Sequence, residues 1–321
     1  MSVILTIDKT AQWLSERDNF LILTHKRPDG DTLGSAGALA QGLREQGKTA
    51  YALYNPEVTP RYLHCIEPYI VPDDFVPEHI ITVDTATTDL FPNNATQYID
   101  QISLCIDHHP SNTFYAEHTC LNAERASCGE VVFDILTKMT SSPVSAETAK
   151  RLYVALSTDT GCFSFSNTTA NTLHVASLLV EAGAPNKELN KVLFRTKTRS
   201  RLMIEGMIIS ELEFSYDDKV AITSITMDML NKTGANEDDL DDIAALPCSI
   251  EGVSVGITIR ELSSTNKCKL SVRTNAPYSA REICEHFGGG GHDLAAGCLI
   301  DKPVGEIKKL LHNVLEDIMA P

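Results

Sequence analysis

No stretch of this sequence stays apolar for the ~20 residues that a membrane-spanning helix needs. The N-terminus reaches Asp8 and Lys9 without the succession of charged, apolar and small residues that marks a secretory signal. A chain without a membrane segment, located in the cytoplasm, is the resulting expectation. None of the nine cysteines, an odd number, pairs as C-x-x-C, so neither a disulfide framework nor a structural zinc site is indicated. The thiols read instead as reduced, buried hydrophobes. Positive charge is also scarce: 27 Lys and Arg face 43 Asp and Glu, for a formal charge of -16. That balance opposes binding to long nucleic acid through counterion release. A phosphate-bearing partner must then be small and held by a few local groups. There is no internal repeat and no low-complexity tract.

What is present is enough apolar material, 43% of 321 residues, to fill two ordinary cores, and two domains are expected. From Phe20 to about Ala184, short apolar runs alternate with segments of helical spacing. Leu21 to Leu23, Ala50 to Leu53, Ile80 to Val83 and Ile102 to Ile106 read as strands, and the stretches near 33–46, 129–139, 146–157 and 170–183 as helices. The expected fold is α/β, with a mainly parallel sheet in a domain over 1–185. A connecting helix is expected over 186–212, rich in Lys, Arg, Leu and Met, followed by a smaller α/β domain over 213–321. That second domain carries strand-like runs at Val220 to Ile225, Val253 to Ile259 and Lys269 to Arg273. It also holds an acidic run from Glu237 to Asp242 that reads as a solvated helix start, a glycine run at 288–291, and an amphipathic helix near 304–318.

The chemistry-bearing residues follow strands. His25, Asp29 and Asp31 sit on a tight turn with Pro28 and Gly30, Asp84 follows the third strand, and Asp107, His108 and His109 follow the fourth. Asp159 stands alone in Ser157-Thr158-Asp159-Thr160-Gly161. Read singly, each has an ordinary alternative: Asp31 as a helix N-cap, His25 as a loop histidine. In an open α/β sheet, however, the ligand crevice lies at the carboxyl ends of the strands. Clusters at one rim would pool aspartates and imidazoles into the inventory of a dinuclear metal site. Two divalent ions ~4 Å apart can activate a water and stabilise both attacking and leaving oxygens at phosphorus. Mixed nitrogen and oxygen donors favour Mn2+ or Co2+ over Mg2+.

The order H-x-x-x-D-x-D, V-D-T, D-H-H and a later lone Asp resembles the DHH phosphoesterases, which include family II inorganic pyrophosphatases, nano-RNases and cyclic-dinucleotide phosphodiesterases. The resemblance spans about 20–300. His25-Lys26-Arg27-Pro28-Asp29-Gly30-Asp31-Thr32-Leu33-Gly34-Ser35 looks like the first motif and Asp107-His108-His109-Pro110-Ser111-Asn112 like the third. Thr158-Asp159-Thr160-Gly161, with Phe163 and Asn167-Thr168-Thr169, looks like the fourth. The resemblance implies His25 and Asp29 on one metal, Asp31, His108 and Asp159 on the other, and Asp84 bridging both. It places His109 against the substrate phosphate and Asp107 behind the metal ligands, accepting a hydrogen bond that orients a neighbour.

In the second domain, Gly288-Gly289-Gly290-Gly291-His292 resembles the glycine-rich motif of the DHH-associated domain, where Gly289, Gly290, Gly291 and His292 would contact a phosphate or ribose. A plain flexible turn is the alternative. Arg273, in a strand-like stretch similar to the family's phosphate-binding arginine segment, and Arg260 are further candidates for substrate contact, against surface arginines. The implied activity is hydrolysis of very short oligonucleotides, nano-RNA or linear dinucleotides, to nucleoside monophosphates, and of 3'-phosphoadenosine 5'-phosphate. Two divalent ions, Mn2+ first with Co2+ or Mg2+ behind it, would serve as cofactors, with His109 and Asp84 central to catalysis. A cyclic-dinucleotide phosphodiesterase is the alternative, followed by an inorganic pyrophosphatase and a non-catalytic nucleotide-binding regulator. The expected partner is the small substrate, with no long nucleic acid and no membrane; a homodimer is left open.

Overall fold

The computed structural model of the protein describes residues 2–140, 142–240, 242–262 and 267–319. The chain divides into two compact units, Met1–Thr196 and Lys197–Pro321. Among the described residues no helix is long and apolar enough to cross a membrane.

The first unit runs β1 (Val3–Ile4), α1 (Ile7–Ser15), β2 (Phe20–Leu23), α2 (Gly30–Glu45), β3 (Ala50–Ala52), α3 (Pro60–Ile66), β4 (His79–Val83), β5 (Ile102–Asp107), β6 (His118–Leu121), α4 (Cys128–Met139), α5 (Ala146–Asp159), α6 (Ala170–Glu181) and the short α7 (Asn186–Asn190). Its six strands lie in the order β1-β6-β5-β4-β2-β3, and every pairing is parallel. Continuous apolar runs suit such strands because both faces are covered. In β2, Phe20 and Ile22 enter the larger core with α1, α2, α4 and α5, while Leu21 and Leu23 enter a second core with Ile80, Phe91, Ile102 and Cys105. All nine cysteines are free thiols, six of them buried.

The chain leaves β2 for β3 on one side and then returns past β2 to β4 on the other, so crossovers diverge beside these two strands. Ligand crevices form at such switch points. β2, β4 and β5 are consecutive neighbours, and their carboxyl ends deliver His25, Asp84 and His108 to one rim. α2 carries Asp29 and Asp31 to the same rim and packs closely on α5 through small residues. A Cβ added at Gly34 would lie 2.6 Å from the Arg151 carbonyl oxygen and 2.9 Å from the Ala155 nitrogen, and backbone atoms cannot swing aside. Alanine is the better helix former by about 1 kcal/mol, but overpacking outweighs it. Gly34→Ala is expected to destabilise the protein by about 1–2 kcal/mol net in urea unfolding; an unchanged or raised midpoint would contradict this packing.

The single connecting helix expected over 186–212 is divided. After α7 the chain makes a wide π-turn at Lys191–Arg195, extends at Thr196, and begins α8 (Arg199–Ser210) under the Thr198 side chain, which accepts a hydrogen bond from Arg201 N. The break has a packing cause. Leu189 and Leu193 are buried in the core of the first unit, whereas Ile204 and Ile208 are buried in a cluster of the second, so one straight helix does not serve both.

The second unit continues with β7 (Glu213–Ser215), β8 (Val220–Ile225), α9 (Met227–Thr233), β9 (Val255–Glu261), β10 (Cys268–Thr274), α10 (Ala280–Glu285), β11 (Gly290–Gly291), β12 (Ala295–Ile300) and α11 (Val304–Ile318). The sheet order is β11-β12-β10-β9-β8-β7, antiparallel except for the parallel pair β8 and β9. Val255, Ile257, Ile259, Leu270 and Val272 bury one face with Ile283, Ile307 and Leu311. The acidic run is solvated at Glu237, Asp238 and Asp242, as expected, but it starts no α-helix and Asp239 departs from the pattern. Asp238–Leu240 is a single tight turn in which Asp239 is buried, accepting hydrogen bonds from Thr198 Oγ1 and Asn236 N and thereby anchoring the start of α8. Asp241 lies outside the described residues.

Candidate metal centre

The turn after β2 is held by hydrogen bonds that leave its functional atoms free. Lys26 N donates to Leu90 O, and Asn55 Nδ2 donates to the His25 carbonyl at 2.8 Å. Arg27, at φ 50, sits in the left-handed region just before Pro28, and the chain then enters α2 with Asp29 as N-cap, its Oδ1 accepting from Asp31 N and Thr32 N. The cap is therefore Asp29, not Asp31. Asp31 is turned inward, 1% exposed, with Oδ2 accepting from Cys128 N at 2.7 Å and Oδ1 from Gly129 N at 2.9 Å. A carboxylate at the N-terminus of α4 is favoured by the exposed amides and the dipole there.

Asp84 follows β4 at φ 54, 3% exposed, with its N–H donated to Ile106 O. Its two oxygens face different partners. Oδ2 lies 3.6 Å from His25 Nε2 and Oδ1 lies 3.4 Å from His108 Nε2. His25 Nε2 is also 3.8 Å from Asp29 Oδ1, and His108 Nε2 is 3.7 Å from Asp31 Oδ2 and 3.9 Å from Asp159 Oδ2. Two nests result, His25–Asp29–Asp84 and Asp31–His108–Asp159, each with its ligand atoms within 4.8 Å of one another. Asp84 also groups with His108 and His109.

Each imidazole is fixed through Nδ1. In His25 that atom is 2.8 Å from Lys26 O and in His108 it is 3.2 Å from Arg125 O, so both present an Nε2 lone pair to the nest once deprotonated. His109 Nδ1 lies 2.8 Å from Asp107 Oδ1, which leaves its Nε2 directed away from that carboxylate. Asp107 is fully buried and also accepts from His108 N and from Asn112 Nδ2 at 2.6 Å. Burial alone would raise the Asp107 carboxyl, but the bonds from His109 and Asn112 hold it below the usual range. The same Asp107 contact raises His109 against the effect of burial.

The electrostatics call for cations. Burial disfavours a charged His25 ring, yet Asp29 and Asp84 overcome it and raise the group to about 11. His108 is raised against burial to about 10 by Asp84, Asp31 and Asp159. Burial, opposed by His108 and reinforced by Asp84, pushes Asp159 up to about 6, and burial with the charges of Asp84 and Asp159 pushes Asp31 well above its ordinary range. The gathered carboxylates draw protons strongly, and a divalent cation would neutralise the same charge. Asp84 Oδ1 and His108 Nε2 are moreover buried without hydrogen-bond partners. Their 3.4 Å separation is too long for a hydrogen bond and close to the ~3.0–3.6 Å between donors sharing an ion at ~2.0–2.2 Å. The residues present fit a pair of divalent ions.

The residues not foreseen are supporting ones. Asn112 and Asn167 lie in motif stretches, and Asn167 Nδ2 holds the carbonyls of Asp159 and Ala126. Asn55 had no signal at all, since its partners Thr24 and His25 are met only in the fold.

In the second unit, β-pairing places Arg273, Ser271, Thr258, Arg260 and Gly297 on the sheet face opposite the apolar core, with Gly290 beside Gly297. Arg273 Nη1 donates to Val272 O, and Arg260 pairs with Glu237 while its Nε is buried without a partner. The glycine run is partly a strand. At Gly289 a Cβ would lie 2.4 Å from Cys298 Cβ, and at Gly291 it would lie 2.6 Å from Ala296 Cα, so both positions exclude side chains. His292 is exposed, its N–H bonded to Ala295 O.

A wholly parallel α/β sheet bears two carboxylate–imidazole nests at its carboxyl rim, with Asp84 facing a histidine of each, a donor set suited to divalent ions and the class of site found in phosphoesterases. The chain belongs to the DHH family: the family's N-terminal domain matches residues 19–156, and the DHHA1 domain matches residues 217–320. It is 30% identical over 283 residues, 87% of this chain and 83% of the other, to a bifunctional oligoribonuclease and PAP phosphatase NrnA of Thermus thermophilus. A protein of the same description from Bacillus subtilis is 25% identical over 89% of this chain and 91% of its own. Among solved structures, an exopolyphosphatase-related protein from Bacteroides fragilis shares the fold with a TM-score of 0.86 at 24% identity, covering 98% of this chain and 96% of that one.

Proposed function

We propose that this protein hydrolyses very short oligoribonucleotides to nucleoside monophosphates and removes a phosphate from 3'-phosphoadenosine 5'-phosphate, using two divalent ions, Mn2+ foremost. The observation that carries the reading is the pair of nests joined by Asp84, whose two oxygens face His25 and His108. The relatives named for these two activities, matched over 83% and 91% of their own lengths, supply the substrate class. Ions bound in the nests would supply Lewis acidity at a phosphoryl oxygen and an activated water.

In this scheme His25, Asp29 and Asp84 hold one ion, and Asp31, His108, Asp159 and Asp84 the other. Asp31 keeps its geometry through the α4 amides, and Asp159 through the Asn167 clamp on its carbonyl. His109, pinned by Asp107 and held by it above the ordinary imidazole range, would in its protonated form offer Nε2–H to the phosphate or to the departing ribose oxygen as the P–O bond breaks. Arg273, with the Gly289–Gly291 backbone and His292, contacts the rest of the substrate, and Arg260 extends the same sheet face. The charge of -16 keeps long nucleic acids away.

A substrate panel with Mn2+ tests the reading: a dinucleotide, a five-nucleotide RNA, 3'-phosphoadenosine 5'-phosphate, a cyclic dinucleotide and pyrophosphate. The dinucleotide and the phosphoadenosine phosphate should be cleaved fastest; pyrophosphate leading the series would refute it. On the dinucleotide, Arg273→Ala should cost about 10–150-fold in kcat/KM, the loss of one charge-assisted contact, with a smaller loss on a generic phosphodiester. His292→Ala should act in the same sense. His109→Ala should lower kcat on both substrates with two metals still bound. Equal losses on both substrates for Arg273→Ala would assign that arginine to chemistry or folding instead.

A further inference from the structure

The segment after Asp159 spends conformational freedom in an unusual way. Gly161, Cys162 and Phe163 have φ of 54, 56 and 65, three consecutive left-handed residues of which two carry side chains; Tyr216–Asp218 is the other such run among the described residues. Such residues ordinarily occur singly, and a bulky one is an outlier. The loop is held shut by Cys162 N to Ser157 O, Ser164 N and Phe165 N to Thr160 O, and Asn167 Nδ2 to Asp159 O. It sorts its two phenylalanines. Phe163 turns inward, edge-on to Tyr153 with ring centroids 6.0 Å apart. Phe165 turns outward and is 60% exposed, the most exposed aromatic ring among the described residues.

The position of that outward ring is well defined. Its Cε1 and Cζ lie 2.4 and 2.5 Å from where a Cβ on Gly161 would stand, so the ring rests against the glycine backbone two residues from Asp159. Cδ1, Cε1 and Cζ lie against Gly161, while the residue is 60% exposed. Folding does not call for this arrangement, since a ring that stays exposed contributes little burial. Strained backbone clusters at functional sites, and this run begins two residues after Asp159. Beside a phosphoester site, a rigid, flat apolar surface suits one ligand chemistry above others, the face of a nucleobase, and stacking of this kind tolerates any base.

We propose that Phe165 is the stacking platform for one nucleobase of the substrate, which makes it a specificity-determining residue for nucleotide over simple phosphate esters. The inference rests on the proposed oligoribonuclease reading. It adds to the metal centre a recognition element on the first unit itself, one that needs no hydrogen bond to a base edge and therefore no fixed sequence.

The test compares wild-type enzyme, Phe165→Ala and Phe165→Tyr, each loaded with Mn2+, on an intact dinucleotide and on the two analogues lacking one base or the other. For Phe165→Ala, KM on the intact dinucleotide should rise about 10–100-fold, with kcat within about twofold and the Mn2+ content unchanged. The analogue lacking the stacked base should be cleaved equally well by wild type and Phe165→Ala, whereas the other analogue should show the full difference. Phe165→Tyr should behave as wild type. An unchanged KM for Phe165→Ala overturns the proposal, as do equal losses on the intact substrate and both analogues or a fall in Mn2+ content, which would make the ring a prop for Asp159. A wild-type enzyme that cleaves no dinucleotide removes the oligoribonuclease reading, and this inference with it. Intact activity without a Phe165 effect removes the inference alone.

Discussion

Asp84→Asn is expected to lower kcat on a dinucleotide by at least about 10³-fold, the equivalent of several kcal/mol of lost Lewis-acid stabilisation, and more than any other single change in the cluster. Asp29, Asp31 and Asp159 each face one nest, whereas Asp84 turns Oδ2 to His25 and Oδ1 to His108. Asparagine preserves shape but offers one carbonyl oxygen and an NH2 that cannot ligate, so one of the two sites loses a ligand whichever way the amide is turned. Both orientations also lose the negative charge that would sit between two dications. The backbone should tolerate the change, because asparagine is among the few residues at ease at φ 54. The unfolding midpoint in chelator should stay near that of wild type while the bound Mn2+ falls below two per chain. Near-normal turnover with a full metal count would show that Asp84 does not bridge.

Chelation should abolish activity, and its restoration by Mn2+ should exceed that by Mg2+, because His25 and His108 supply nitrogen donors. The pH dependence of loading follows in sign from the raised imidazoles. Without cations both rings keep their protons through neutral pH, since their values of about 11 and about 10 lie far above 6.5. An ion needs the bare Nε2 lone pair, so binding must expel those protons, and any proton carried by Asp159 at about 6 leaves as well. Metal affinity should therefore rise with pH across the neutral range, about tenfold per unit for each proton released. Titration calorimetry in buffers of different ionisation enthalpy at pH 7 should count at least about two protons released on filling both sites, with any proton on Asp31 adding to them. Affinity that is flat between pH 6 and 8, or proton uptake on binding, would contradict this ligand set. Activity that survives excess chelator would remove the two-ion scheme altogether.

The strands that carry the site were legible because a buried parallel sheet demands uninterrupted apolar runs, and β2, β4 and β5 are such runs. β1 and β6 were not, since Val3–Ile4 is only two residues long and His118–Leu121 mixes polar and apolar side chains at the sheet's margin. α11 was legible from its apolar stripe, Ile307, Leu311 and Leu315 at every fourth position. The connecting segment misled because it is rich in Lys, Arg, Leu and Met, while the division of Leu189 and Leu193 from Ile204 and Ile208 between two cores is invisible locally. In the acidic run charge predicts solvent, which holds for Glu237, Asp238 and Asp242; Asp239 departs from it because Thr198 and Asn236 bond its carboxylate.

At the candidate site the sequence by itself determined the inventory, five aspartates and three histidines at the ends of strands and helices, and the motif order that assigns them to one family. It could not decide which carboxylate caps and which is buried. Asp29 and Asp31 stand two residues apart on one turn, and Asp31 is drawn inward only because the amides of Cys128 and Gly129, nearly a hundred residues later, close over it. Nor could it decide which imidazole nitrogen faces the nests, a choice made by the carbonyls of Lys26 and Arg125 and the carboxylate of Asp107. Residue type is a local property, but the direction of a lone pair and the removal of a charge from water depend on neighbours brought in by the fold.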